Sequence, residues 1–528
     1  MPEEPDDATA TAGAIDDDPL PASTAPRFGG ADRRAVFTGG VWSAASNLLP
    51  MVSTLALSVV ISRVLGADVL GEQSLVAYVA SLLVSVLIYS FTVASIQLIA
   101  SAGGAKDTAR LAHLARWSMT AHLVGGGVAV VVLVVGGLSR DSFGSIWFLA
   151  AATALVDAVG WGYASRHVAR HGWSGTSARR LVSQALTPLL GIAAVLLGAG
   201  VQGVFAAQLL VSVGLLVALR RLERGDPLPA PAGLAAPPVG PVVRLWSLFA
   251  LSAVVTQVVD RRLELVFLDL YRTPVEVAQY SVAFNIVGIA LVVGTALIAA
   301  AVPAVAAAHG AGEHDRVVSG LSRAARVVVA VSVLMCAAVV AVGPSVVLAF
   351  WGQEFAEASA IVRVLAVALL ITPTGALCNA YWIGTGRLRP VLVAGGTGAV
   401  IDITLAAVLI PSLGTGGALV ATLSGQGTAA LLIIAHTVRT GLRLRVRAAP
   451  VARVAAVAVV AAGLATAVEL PFGAWPALLL GGAVFVLVTA VGLRLVGLVV
   501  EDDREWLAGT LPAPAARALT LLSPRRGG

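Results

Sequence analysis

Residues 245–284 read LWSLFALSAVVTQVVDRRLELVFLDLYRTPVEVAQYSVAF. No charge interrupts the stretch until Asp260, Arg261, Arg262 and Glu264 arrive together, after which LELVFLDL resumes the apolar character. A tyrosine–arginine–threonine–proline turn then opens a second apolar run. A bilayer core needs about 20 apolar residues per helix, so the stretch predicts a membrane helix over 245–268, a turn, and a second helix from 280. Charges inside such a helix are costly and usually functional.

The rest of the chain follows the same plan. Of its 528 residues 58% are hydrophobic and 12% charged, and the mean hydropathy is +0.90. A soluble domain carries about 25% charged residues, so the excess apolar surface must face lipid. Net charge is +6, but the arginines fall in short loops between apolar runs. That reads as membrane topology, and no nucleic-acid partner is expected. Cys336 and Cys378 both lie in apolar runs, which excludes a disulfide framework and leaves no metal site to expect. The GTGRLRP stretch (384–390) lacks the strand and helix of a nucleotide loop, and no Walker motif occurs, so neither a cofactor nor ATP is expected.

Spans are predicted near 38–61, 74–100, 117–137, 145–164, 181–199 and 202–219, then 245–268, 280–303, 326–343, 359–383, 391–410, 414–435, 451–469 and 475–498. Alternation of the barrel kind is absent, so helices must satisfy the backbone in lipid. With the N-terminus inside, most basic residues, including Arg110/Arg116, Arg166/Arg170/Arg179/Arg180 and Arg220/Arg221/Arg224, fall in cytoplasmic loops. Arg63, Arg140 and Arg272 then lie outside. Both termini are expected in the cytoplasm. Residues 1–35 hold eight acidic residues and no apolar stretch, an acidic disordered tail without the order of a signal peptide.

Four stretches repeat. VWS (41–43) matches LWS (245–247), and LGADVLGEQSLVAY (65–78) lies over YRTPVEVAQYSVAF (271–284). The amphipathic linkers at 107–116 and 315–326 correspond, as do AVLLGAGVQGVFAA (194–207) and AVLIPSLGTGGALVA (407–421). A duplication with an even number of spans per copy keeps both copies in one orientation, related by a pseudo-two-fold axis along the membrane normal with a cavity between. The expected fold is therefore an all-α polytopic membrane protein of about 14 transmembrane helices: two six-helix lobes in parallel repeat plus two C-terminal helices. The expected divisions are the tail 1–35, an N-lobe 36–220, a cytoplasmic linker 221–243, a C-lobe 244–436, two further helices within 437–499, and a cytoplasmic tail 500–528. This is a transporter's architecture, and no enzyme activity is expected.

ISRVLGADVLGEQSL (61–75), VVDRRLELVFLDLYRTPVEVAQYSVAF (258–284) and VLIPSLGTGGALVATLSG (408–425) resemble the bacterial polysaccharide, O-antigen-type flippases of the multidrug/oligosaccharidyl-lipid/polysaccharide exporter superfamily, over about residues 36–500. Gln73 stands where that family usually has an aromatic, and Ala278 where it has glycine. The resemblance implies a flippase in the bacterial cytoplasmic membrane. It would carry an undecaprenyl-pyrophosphate-linked oligosaccharide by alternating access for cell-surface polysaccharide biosynthesis, beside glycosyltransferases and a polysaccharide polymerase. Residues 451–469 and 475–498 would correspond to the two helices that, in lipid II flippases, help form a groove for the isoprenoid tail.

Such cargo needs cations for pyrophosphate, polar groups for sugars and an apolar path for lipid. Arginine suits the first through its planar fork. On a helix Asp260 and Glu264 share a face, while Arg262 projects roughly 200° from Asp260. The resemblance places Arg261 at the family's basic position and Asp260 at its acidic one. Substrate-binding candidates are Arg261, Arg262, Gln257, Arg63 and Asn47. Asp260, Glu264, Asp157 and Asp402 are candidates for proton or sodium coupling, and Arg363 could line the outer vestibule. Each has a plainer reading: pairing at the interface for the span-seven cluster, a snorkelling anchor for Arg63, helix contact for Asn47, neutral hydrogen-bonded acids for Asp157 and Asp402. Pro50 would bend the first span. The alternatives are a lipid II-type flippase or a cation-coupled multidrug exporter of the same superfamily. From another class, a membrane glycosyltransferase or polymerase would need larger outer loops than these.

Overall fold

The computed structural model describes residues 51–105, 107–140, 143–171, 174–224, 239–259, 263–296, 311–440, 448–469 and 473–496, together with Ile298, Val305 and His309. Helix α1 (Met51–Leu65) ends at Gly66, whose φ of +95° is accessible to glycine at little cost. Helix α2 runs through Ala67–Leu83, a π-helical turn Val84–Tyr89, and Ser90–Gly104. Helices α3 (Thr108–Leu138), α4 (Gly144–His171), α5 (Ser174–Leu196) and α6 (Gly200–Arg224) complete the first half.

The second half contains α7 (Val239–Val259), α8 (Glu264–Tyr271), α9 (Pro274–Ala296), α10 (His314–Phe350), α11 (Ala356–Leu365), α12 (Ala368–Gly384), α13 (Arg389–Leu413) and α14 (Thr415–Arg439). Helices α15 (Ala448–Glu469) and α16 (Ala474–Val496) follow. Among the described residues every regular element is helical, and ten helices are long and apolar enough to cross a membrane. The chain is a multi-pass membrane protein. Four further pieces occupy positions where spans are expected: α1, α5, α7 and the α11–α12 pair.

Among the described residues one predicted span, the tenth, is interrupted: it is bent by 49° between α11 and α12. Leu369 and Leu370 close tight three-residue turns there, and Pro373 has no amide to continue the ladder from Leu369.

Helices α3, α4 and α6 pack side by side, and α5 lies on α6; α13 lies along α14, with α12 between α14 and α10. Helices α15 and α16 pair with each other and dock on α10. Lipid exerts no hydrophobic drive between helices, so close approach of small residues holds such pairs together. Gly398 and Gly425 supply it between α13 and α14: a Cβ on Gly398 would stand 2.6 Å from the Gly425 carbonyl oxygen.

The halves join through α2, which touches α7, α8 and α9. Gly71 on α2 meets the start of α9 so closely that a Cβ would overlap the Pro274 carbonyl. These are helices that the sequence repeat pairs, and they meet at the ends the arginine distribution places outside. A single core there combines Leu57, Ile61 and Leu70 from the first half with Leu268, Val347 and Phe355 from the second.

Candidate functional site

Helix α8 begins at Glu264, and its packing drives that carboxyl inward, with Leu265 and Leu268 fully buried beside it. Glu264 is 0% exposed and Asp402, on α13, is 1% exposed. The two acids are near enough to interact directly. The Thr422 hydroxyl on α14 donates to Glu264 Oε1, and Tyr280 on α9 lies 2.5 Å from Thr422 Oγ1. A threonine hydroxyl has one proton, so Tyr280 must donate to Thr422. The relay runs Tyr280, Thr422, Glu264.

Glu264 Oε2, both Asp402 oxygens and Gln426 Oε1 are buried without a hydrogen-bond partner among the described residues. The site is rich in acceptors and poor in donors. Two facing carboxylates repel unless a proton or a cation comes between them. Gln426 lies one turn beyond Thr422, and both line a small cleft with Phe284, Val287, Gly288 and Leu365. Gly425 permits the approach, because a Cβ there would stand 2.6 Å from the Asp402 Cβ. Among the described residues no group of three or more His, Cys, Asp or Glu side chains gathers that could hold a metal ion.

Asp157 has different surroundings. It lies midway along α4 with the Ser212 hydroxyl beside it and the Arg180 guanidinium within electrostatic reach. Arg180 is not the loop residue its neighbours in sequence suggest; it belongs to α5, with its guanidinium carbon 3.4 Å from the Trp161 ring centroid. Asp157 is therefore balanced by a cation, whereas Glu264 and Asp402 have none among the described residues. Arg166 and Arg170 likewise belong to a helix, α4, and Arg170 pairs with Glu223 at 2.9 Å.

Arg63, expected to contact substrate, has its guanidinium on the backbone instead. Nε donates to the Phe350 carbonyl at 2.8 Å and Nη2 to the Ala349 carbonyl at 2.9 Å. A cation at the C-terminus of α10 satisfies carbonyls that the helix leaves open, and the contact ties α1 to the second half. Arg363 is exposed on α11, within electrostatic reach of Glu469. Asn47, Pro50, Asp260, Arg261 and Arg262 lie outside the described residues; Gln257 falls on α7, whose backbone alone is described there.

Arg140 makes a second tie between the halves. It donates to Glu72 on α2 at 2.8 Å and to Asp269 on α8, and stacks 5.7 Å from the Trp147 ring. Burial works against the Arg140 charge, but Asp269 and Glu72 outweigh it and hold the guanidinium above its ordinary pKa. Sequence reasoning did not find Thr422, Tyr280, or the Arg140 contacts. Thr422 and Gln426 did leave a signal, as polar residues one turn apart in an apolar run.

The MatE family model matches residues 263–408, which contain Glu264 and Asp402. No curated protein matches the chain in sequence. Among solved structures, the lipid II flippase MurJ in an inward closed conformation is similar at a TM-score of 0.68 and 9% identity, over 87% of this chain and 99% of that one. An inward-facing multidrug resistance MATE family transporter of the MOP superfamily is similar at 0.59 and 17% identity, over 74% of this chain and 95% of that one. A MOP superfamily transporter from Pyrococcus furiosus, described as having a binding pocket of reverse polarity, is similar at 0.51 and 16% identity, over 78% and 96%. The chain has the fold that these transporters share.

Proposed function

We propose that the protein is a cation-coupled flippase that moves a lipid-linked oligosaccharide across the membrane by alternating access of its two halves. The carrying observation is the buried Glu264–Asp402 pair with its unpartnered oxygens. Binding of a proton or sodium ion there neutralises the repulsion and draws α8, α13 and α14 together, and release loosens them. Helix α8 also carries Asp269, so movement at the acid pair reaches the Arg140 contact through one short rigid element. Arg261 and Arg262 are the proposed ligands of the pyrophosphate, on the grounds of sequence.

Lipid-linked cargo is favoured over a drug by the two helices beyond the repeats. The similarity to MurJ extends over 87% of the chain, against 74–78% for the MATE structures. Helices α15 and α16 expose Val459, Val460, Leu479, Leu487 and Leu495, an apolar surface suited to an isoprenoid tail. The MatE match to residues 263–408 favours the second reading, a multidrug exporter.

The two separate in vesicles containing the purified protein. One assay follows a fluorescent undecaprenyl-pyrophosphate oligosaccharide, and the other a cationic dye, each under an imposed proton or sodium gradient. The expected result is translocation of the lipid-linked sugar, stimulated by one gradient in wild type and unresponsive to it in Asp402→Asn and Glu264→Gln. Dye export without movement of the lipid would overturn the flippase reading. Gradient stimulation that survives both substitutions would remove the acid pair from coupling.

A further inference from the structure

Most arginines that the structure describes inside the bundle are engaged. Arg63 and Arg272 reach carbonyls, Arg140 and Arg170 reach carboxylates, and Arg166 donates to the Ala115 carbonyl. Arg180 differs. It forms no ion pair and donates no hydrogen bond among the described residues. Instead its guanidinium lies against Trp161, 3.4 Å from the ring centroid, which leaves the edge carrying five N–H donors uncommitted.

Trp161 is 9% exposed and stands near the expected cytoplasmic end of its span, with Arg180 just before the start of the next. Guanidinium donors left without a partner beside a buried ring are costly. Asp157, one turn before Trp161, offsets the charge from beyond ion-pair distance while Ser212 lies beside it, so the acid leaves the guanidinium edge free. A second, independent feature points to the same place. Tyr89 meets Trp161 edge-on at 5.1 Å, closes the π-helical turn of α2, and is 41% exposed. Such turns occur frequently at functional sites. The platform therefore combines a held cation, a neutralising acid out of contact, and an open aromatic rim. The ligand that a planar fork of donors recognises best is a phosphate oxygen pair.

We propose that the Arg180 edge, held flat by Trp161, binds the phosphate-type headgroup of a lipid: a pyrophosphate, phosphomonoester or phosphodiester. The proposed function enters only in deciding which lipid brings the phosphate. A lipid-linked substrate and a resident anionic phospholipid offer the same chemistry.

The test uses the full chain in phosphatidylcholine nanodiscs and measures equilibrium binding of farnesyl pyrophosphate, with farnesol as the uncharged control. Wild type should prefer the pyrophosphate. Arg180→Gln should weaken it about tenfold or more, Arg180→Lys less, because it keeps charge and loses the fork. Trp161→Leu should weaken it as well, since the guanidinium loses its support. Thermal melting of each variant shows whether it is folded, and Arg180→Lys keeps the test decisive where Arg180→Gln is not. Equal affinity in wild type and folded Arg180→Gln overturns the proposal, as does wild-type affinity in Arg180→Lys together with loss of folding in Arg180→Gln.

Repeating the titration in discs enriched in phosphatidylglycerol separates the sources. Weaker farnesyl pyrophosphate binding there, in wild type but not Arg180→Gln, identifies a phospholipid headgroup as occupant; no change identifies the pyrophosphate. No gradient or translocation enters this measurement. A protein that binds but moves nothing refutes the flippase reading alone, while Asp402-dependent translocation with unchanged Arg180→Gln binding refutes this site alone.

Discussion

Replacing Arg140 with alanine should open the end of the molecule where the halves meet. The guanidinium bonds Glu72 at 2.8 Å and also Asp269, whose side chains are 6% and 13% exposed. Removing the cation leaves two nearby carboxylates facing each other. Breaking a buried pair in this way costs about 3–5 kcal/mol. The Arg140 side chain is 26% exposed, so solvent screening reduces the figure to about 2–3 kcal/mol. Glu72 and Arg140 belong to the first half and Asp269 to the second, so this energy belongs to the conformation that holds them together. Losing it should shift the closed-to-open ratio about 30- to 150-fold. Spin labels at Leu138 and Leu270, which are 74% and 65% exposed, would report the separation after Cys336 and Cys378 are replaced by serine. The expected distribution gains a longer component in Arg140→Ala, and less of it in Arg140→Lys. Distances and melting temperature matching the parent in both Arg140→Ala and Asp269→Asn would refute the reasoning.

Arg63→Ala should lengthen the same distance by a separate route, losing two charge-assisted bonds to the end of α10 worth about 1–3 kcal/mol, and its effect should add to that of Arg140→Ala. Gly425→Leu should force α13 from α14 and lower the melting temperature by an amount equivalent to about 1–3 kcal/mol or more, whereas Gly427→Ala, with open space around it, should melt close to wild type. Arg261→Ala should reduce lipid-linked oligosaccharide affinity about ten- to a hundredfold, with lysine between alanine and wild type; equal surface glycan at matched protein levels would remove Arg261 from the site.

Composition and run length alone determine that this chain is a bundle of membrane helices. Apolar residues in excess of any soluble core have lipid as their one stable environment, and lipid permits helices whose backbone bonds close internally. The repeat of 65–78 in 271–284 went further, because it marks the two helices whose ends meet at Gly71 and Pro274. Asp402, Asp157 and Glu264 were visible as charges in apolar runs, since their desolvation cost makes them conspicuous in any sequence.

What the residues would touch was not visible. Glu264 and Asp402 are separated by the whole of α9 to α12, and helical periodicity says nothing about which distant faces are brought together. Arg180 illustrates the same limit: adjacent to Arg179 it reads as one more loop cation, and only the packing of α5 beside α4 lays it on Trp161. Arg63 reads as a cation available to substrate until the end of α10 arrives with its open carbonyls. The sequence by itself determined the solvent of each segment, through the free energy of burying it in lipid. The tertiary structure alone decided each charge's partner, because a long-range contact depends on crossing geometry and on glycines such as Gly398 and Gly425 that set how near two helices can come.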